Sequence, residues 1–484
     1  MRNYILFSTT LLAAAACGGG QKTSGGSGGS VPPPPQISKS NGGGGVSGDV
    51  GTPANTPVAP QPAISKDARA DYTAAVQYFD QNDKGHSWND ATCRTAADKF
   101  QSVVSSHSEL IVAQVMVGTS FARCGMWGDA EKAYTQATHM KGDPAKQAQA
   151  LSNLGEIYFM QGKTDGAKQY WTNAVSANGK LVGARIGLAS LTIDDMHRIN
   201  NPKDQAWKNL ETDARQNLSN ALGVDSDSVA AYAAYARLYM EGSQQNKNRL
   251  DLAKLLLDEG ANRDKGNADL QNAFGLYWMK RGALNQANAA FMAAVQADPK
   301  FVEARLNAGF LNLGFRKYDV AKDLFSKAIE LQPKNYDAII GLGVAMRGLN
   351  DLDGAEAAYK KAQQLNPQRG RAYYNLGVLY KDFRANKQND PDPVKALRGS
   401  QSMYKTAHDY FQQFADKDGT PEEKQEAKNN IGDCEKVVKQ LDQAIVNLQN
   451  APPPPPAPPA QPAAAPAAGA GSAPAPAPAG GAGG

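Results

Sequence analysis

The side chains of this 484-residue chain best suited to nucleophilic or metal chemistry are four cysteines and five histidines, and their spacing limits what they can do. His86, His107, His139, His197 and His408 stand far apart, with no HExxH pattern, no paired CxxC and no glycine-rich phosphate loop among them. His408 and Asp409 are the one adjacent pair of histidine and carboxylate. At successive helix positions they diverge by about 100°, which suits a solvated surface pair better than a catalytic one. Asp and Glu are plentiful, as on any solvated helix face, without a constellation that stands out as a catalytic pair. The expectation is a protein that is not an enzyme and uses no metal, cofactor or small-molecule substrate. Cys17, Cys93, Cys124 and Cys434 remain, and their meaning depends on the elements around them.

Cys17 follows Met1-Arg2-Asn3 and an apolar run from Tyr4 to Ala16. A run of about 13 residues is too short for a bilayer core that needs about 20, so it reads as an export signal. The small residues Ala13 to Ala16 before Cys17, with Gly18-Gly19-Gly20 after it, resemble the bacterial lipoprotein box. The leucine usual three places before the cysteine is replaced by Ala14, with Leu12 two places earlier. The resemblance implies that residues 1–16 are a signal peptide and that Cys17 is lipidated. Gly18, in place of the aspartate that retains such proteins at the inner membrane, implies the outer membrane, with the folded part facing the periplasm. A secreted protein in which Cys17 is a bystander is the other reading.

Residues 17–66 carry Gly42 to Gly45 and Pro32 to Pro35 with almost no large apolar side chains, and residues 450–484 are rich in Pro, Ala and Gly. Neither segment can bury enough apolar surface to offset its ordering entropy, so one reads as a tether and the other as a disordered tail. The tail is either a spacer or a docking strand for a proline-binding or cell-wall partner. Lys plus Arg exceed Asp plus Glu by 51 to 47 overall. Removing Arg2, Lys22, Lys39, Lys66 and Asp49 leaves 47 against 46 in the middle, which lacks the basic footprint of a nucleic-acid binder.

The middle, residues 67–449, is periodic. Pro299, Pro333 and Pro367 are 34 residues apart, as are Ala287, Ala321 and Ala355. Phe291, Phe325 and Tyr359 keep the same step, as do Gly275, Gly309, Gly343 and Gly377. Small residues eight, twenty and twenty-seven places into a unit, an aromatic at twenty-four and a proline at thirty-two resemble the tetratricopeptide repeat. Gly155 with Trp171 and Gly118 with Tyr134 extend the register to units at 148–181 and 111–144. Less regular units follow at 67–110, 182–228 and 229–267, and a ninth begins at Tyr373 and breaks between Ala385 and Pro393. Glu422 to Leu448, with its thin stripe of Ile431, Val438, Leu441, Ile445 and Leu448, suits a cap for the last exposed face. The resemblance implies an all-α superhelical solenoid of about nine helix pairs with a C-terminal capping helix.

In such arrays the first helices line a concave groove with positions two, five, nine and twelve directed inward. Leu306, Phe310, Ile340, Val344, Tyr374 and Val378 are then candidate partner-binding residues, unless they pack against neighbouring helices instead. Asn272, Asn307 and Asn375 are present without the inward cations of a carboxylate clamp, which favours an amphipathic helix or extended apolar peptide as ligand. Cys93 and Cys124 fall at the same end of neighbouring helices, where a disulfide and two buried thiols are both open readings; Cys434 has no expected partner. Lipidated proteins of this repeat family serve pilus assembly, outer-membrane biogenesis, peptidoglycan-hydrolase docking and gliding motility. The layout of tether, nine-odd units and tail looks most like the adventurous gliding-motility lipoprotein, implying a scaffold for envelope protein partners.

Overall fold

In a computed structural model the chain is described over residues 65–85 and 87–450. Signal residues 1–16, Cys17, nearly all of the expected tether, His86 and the tail after Asn450 lie outside the described residues. Among those described there is no strand, and nineteen α-helices follow one another as antiparallel pairs. The first three pairs are α1 (Lys66–Lys84) with α2 (Asp90–Ser106), α3 (Ile111–Arg123) with α4 (Trp127–His139), and α5 (Pro144–Met160) with α6 (Thr164–Ala177). Next come α7 (Val182–Ile199) with α8 (Gln205–Val224), α9 (Val229–Met240) with α10 (Asn248–Asp264), and α11 (Ala268–Lys280) with α12 (Leu284–Ala297). The last are α13 (Val302–Gly314) with α14 (Tyr318–Leu331), α15 (Tyr336–Gly348) with α16 (Leu352–Leu365), and α17 (Arg371–Val378) with α18 (Pro393–Ala415). Helix α19 (Pro421–Gln449) packs along α18 and closes the array. These are the nine pairs and cap that the repeat predicts.

The repeated small and aromatic residues explain the pairing. Phe325 of α14 is fully buried, and a Cβ added at Gly309 of α13 would lie 2.7 Å from its ring, one added at Gly341 of α15 only 2.4 Å. The aromatic at position twenty-four therefore sits between glycines of its own unit and the next, which sets both the spacing within a pair and the stacking of pairs. Trp171 is held the same way between Gly155 and Gly187. Helix starts are fixed locally: Asn89 and Thr92 form a capping box on α2, Thr420 and Glu423 another on α19, and Asp392 caps α18 just before Pro393.

Departures from the expected boundaries have local causes. Helix α5 starts at Pro144 rather than 148, because Asp143 accepts the Ala145 N–H and Pro144 tolerates the first helical turn. Helix α1 begins one residue early, capped by Ser65. The long turn before α10 is pinned by Arg249, which donates to the Glu241 and Leu238 carbonyls and pairs with Glu211 at 2.7 Å. Its guanidinium also lies 5.4 Å from the ring centres of both Trp207 and Tyr239. In the ninth pair α17 runs into a π-helical turn, Leu379–Arg384, that places Tyr380 and Arg384 on Glu356 of the preceding unit at 2.8 and 2.7 Å. In the cap, Ile445 and Cys434 are buried but Leu448 is exposed, so the stripe is shorter than the sequence suggests. Near the other end, Cys93 of α2 and Cys124, just after α3, are joined as a disulfide with their Cα atoms 6.3 Å apart.

Candidate functional site

The six groove candidates lie on first helices as the register requires. Leu306 and Ile340 are buried in separate apolar clusters. Phe310 is buried with its ring 5.0 Å from that of Phe325, and Tyr374 is buried against Phe411 and Phe414 at 5.6 and 5.4 Å. Val344 and Val378 are half-buried. With four of the six buried and two half-buried, packing between helices takes up most of this set.

A pocket forms instead further toward the N-terminal side, where the superhelix bends round. Lys300, in the turn between α12 and α13, donates from Nζ to the backbone oxygen of Arg123, 177 residues earlier, at 2.7 Å. The concave side enclosed by that arc holds a cavity of about 410 Å³. One part of its wall is apolar, with Phe159, Trp171, Ile186 and Phe301; the other carries Asp194, Arg237, Asp269, Asn272 and Glu303. Five first helices contribute: α5, α7, α9, α11 and α13.

Its polar side is organised by hydrogen bonds across units. Asn307 donates to Asn272 at 3.0 Å, and Asn272 donates to Glu303 at 3.2 Å, a ladder that fixes the Glu303 carboxylate although its side chain is buried. Two of the asparagines weighed as clamp residues thus orient a carboxylate of the protein itself. Asp194 is buried, and Arg237 approaches its Oδ1 to 3.7 Å, outside hydrogen-bond range. That oxygen has no hydrogen-bond partner among the described residues, and neither does Nε of Arg237. Burial pushes the Asp194 carboxyl up to about 6, against the pull of Arg237 and helped by Glu303. Burial opposes the charge on Arg237, yet Glu303, Asp194, Asp269 and Glu241 together raise its pKa. Beside the cavity, His197 meets Glu241 at 3.2 Å; that contact raises the histidine and, against burial, lowers the glutamate.

This arrangement offers a recessed surface with one apolar and one charged wall. Among the described residues no group of His, Cys, Asp and Glu is placed to hold a metal ion, and no helix is long and apolar enough to cross a membrane. Sequence reasoning missed the cavity although a signal existed: Arg237 is position nine of its unit, Asp269 and Asn272 are positions two and five of theirs, and Glu303 is position two of the next. Reading inward positions over the middle units as well would have added Arg237 and Asp269; Asn272 was weighed only as a clamp residue, Glu303 lies in a unit that was read, and Asp194, at position thirteen of its unit, falls outside the inward set.

Residues 118–177 and 312–377 each match a family described as tetratricopeptide repeat. Those two stretches carry tetratricopeptide repeats. Solved structures with similar helix stacking include Pseudomonas aeruginosa pilF, 19% identical over 50% of this chain and 98% of that one, with a TM-score of 0.36. YrrB, described as a TPR protein with an unusual peptide-binding site, is 22% identical over 42% of this chain and 95% of its own, with a TM-score of 0.27. A thermophilic TPR protein of Thermus thermophilus, TTC0263, is 20% identical over 41% of this chain and 99% of its own, with a TM-score of 0.34. Among curated proteins none matches the chain. Proteins built from such repeats are protein-interaction scaffolds.

Proposed function

We propose that the protein is a lipid-anchored scaffold of the cell envelope, which holds a protein partner on the concave face of its repeat array. The observation that carries the binding role is the cavity into which five first helices project side chains, enclosed by the turn that carries Lys300. The anchoring half rests on Cys17 and the short apolar run before it, which fit an outer-membrane lipoprotein with the array in the periplasm. Gliding motility is the envelope machine whose scaffold shares this layout of tether, array and tail. The test is crosslinking in cells from a photoreactive residue at Gly183, exposed at the cavity edge, where a Cβ has nothing within 4 Å. Gly432 on α19, equally open, is the control. Mass spectrometry should recover an envelope protein from Gly183 and not from Gly432; equal capture at both positions, or none, overturns the reading.

A further inference from the structure

The cavity is lined by five carboxylates, Glu156, Asp194, Asp269, Asp298 and Glu303, against two cations, Arg237 and Lys300. Both cations have work within the fold: Lys300 closes the arc on Arg123, and Arg237 faces Asp194. The lining thus carries more carboxylates than cations beside an apolar wall. Asp194 adds a second observation of a different kind. It is only 5% exposed, it lines the cavity, and its Oδ1 accepts no hydrogen bond among the described residues. A buried carboxylate oxygen without a donor is costly, and an incoming N–H group would relieve that cost. Glu303 is already oriented by the asparagine ladder, so it is pre-set to face the same guest.

We infer that this cavity binds a cationic peptide segment of the partner, with a lysine or arginine directed at Asp194 and Glu303 and a neighbouring apolar side chain against Ile186 and Phe301. The inference rests on the scaffold reading and adds the chemistry of what is held. Charge complementarity selects the occupant: an acidic segment would bring like charge against a lining richer in carboxylates than in cations, whereas a basic one supplies the donor that Asp194 lacks. The size agrees, since about 410 Å³ accommodates one long side chain with part of its backbone, not a folded domain.

Titration with defined peptides tests it on the full-length chain. The probes are an amidated 12-residue peptide of Leu and Lys at helical spacing, its Leu and Glu counterpart, and spermine as a free amine. The Lys peptide should bind at least about tenfold tighter than the Glu peptide, and its affinity should fall as salt rises. Asp194→Asn with Asp269→Asn should cost about tenfold or more, the scale of a charge-assisted hydrogen bond. The charge-matched control, Asp213→Asn with Asp416→Asn at exposed positions, should cost little. Thermal melts monitored by circular dichroism establish that both double variants fold. If the two doubles weaken the Lys peptide equally, binding lies elsewhere and the inference fails; spermine binding as tightly as the peptide would assign the cavity to small cations and also overturn it. Partner crosslinking at Gly183 that survives the Asp194 and Asp269 changes would sink this inference while leaving the scaffold reading intact.

Discussion

If the glycine-to-aromatic contact sets the stacking of units, then a single methyl group in the wrong place should weaken it. Gly341→Ala would put a Cβ 2.4, 2.5 and 2.7 Å from Cζ, Cε1 and Cε2 of Phe325, where 3.4 Å is ordinary contact. The ring would have to retreat by about 1 Å, and it cannot do so freely, because it is fully buried and Gly309 already lies against its other face. Overpacking of this kind costs about 1–3 kcal/mol. Alanine returns about 1 kcal/mol through its better helix propensity, so the net loss should be about 0–2 kcal/mol. Gly432→Ala on α19 has the same propensity gain with nothing within 4 Å, and should stabilise by about 0.5–1 kcal/mol. The two alanines should therefore differ by about 1–3 kcal/mol in urea denaturation. Repeat arrays open locally, so amide exchange should accelerate in α13 to α16 before other units respond. Placing Gly341→Ala on a Phe325→Leu background should remove the penalty, since the smaller side chain leaves room for the methyl. Equal stabilisation by Gly341→Ala and Gly432→Ala would refute the stacking argument.

Three further outcomes can be checked. Replacing Cys93 with Ser opens a loop spanning 31 residues and should lower stability by about 3–4 kcal/mol, with the loss concentrated in the first two units and reproduced by reductant on the native chain; identical urea midpoints with and without reductant would contradict it. Cys17→Ala should release the protein from the outer-membrane fraction while leaving the circular-dichroism melt of the array unchanged, whereas continued pelleting would remove the anchor from the proposal. Asp194 has a folded pKa raised to about 6 from about 3.9 unfolded, so the stability it contributes is present below about pH 4 and is lost as pH rises through about 6. Arg237, Glu303 and His197 face this group. Asp194→Asn should therefore gain on the wild type between about pH 4 and about pH 7 in urea midpoint; a gap that stays flat or narrows would show that another group governs this range.

The fold was readable because its determinants are close in sequence. A glycine at position eight meets an aromatic sixteen residues later, as Gly309 meets Phe325, and the contact recurs one step of 34 either way, in Gly275 with Phe291 and Gly343 with Tyr359, so a pattern of single residues reports a pattern of contacts. Irregular units were readable only in outline: the turn before α10 depends on Arg249 reaching Glu211, 38 residues away, and no local motif announces that. The cavity was less legible still. Asp194 and Glu303 are 109 positions apart in the chain, and they face one space only because of the superhelical bend and the closing contact from Lys300 to Arg123. Periodicity identifies which side chains turn inward but not which distant ones meet. For the same reason Leu306 and Phe310, correctly assigned to a first helix, proved buried: facing inward does not decide how closely neighbouring elements pack against them.

Trp171 connects the two scales. It occupies the aromatic position of its unit, flanked by Gly155 and Gly187, and its Nε1 donates to the Ser152 carbonyl at 3.0 Å, so its pose is fixed by the stacking code. The same side chain also forms part of the cavity wall. A ring that must stay in place to hold two units together is a rigid backing for that wall, so a guest meets a surface that needs little ordering at the time of association. Asp194 on α7 is placed by the same stacking, because the approach of α7 to α5 is set by Gly187 against that ring. The buried carboxylate, which burdens the fold, is thus held in position by contacts that the fold needs anyway. In a quasi-one-dimensional array its cost stays largely with the units around it, while the strongly periodic units C-terminal to it, with their fully buried Phe291, Phe325 and Tyr359, carry stability of their own. An extended repeat protein can in this way accommodate an unfavourable charge at the site where it binds, without requiring the rest of the chain to compensate contact by contact.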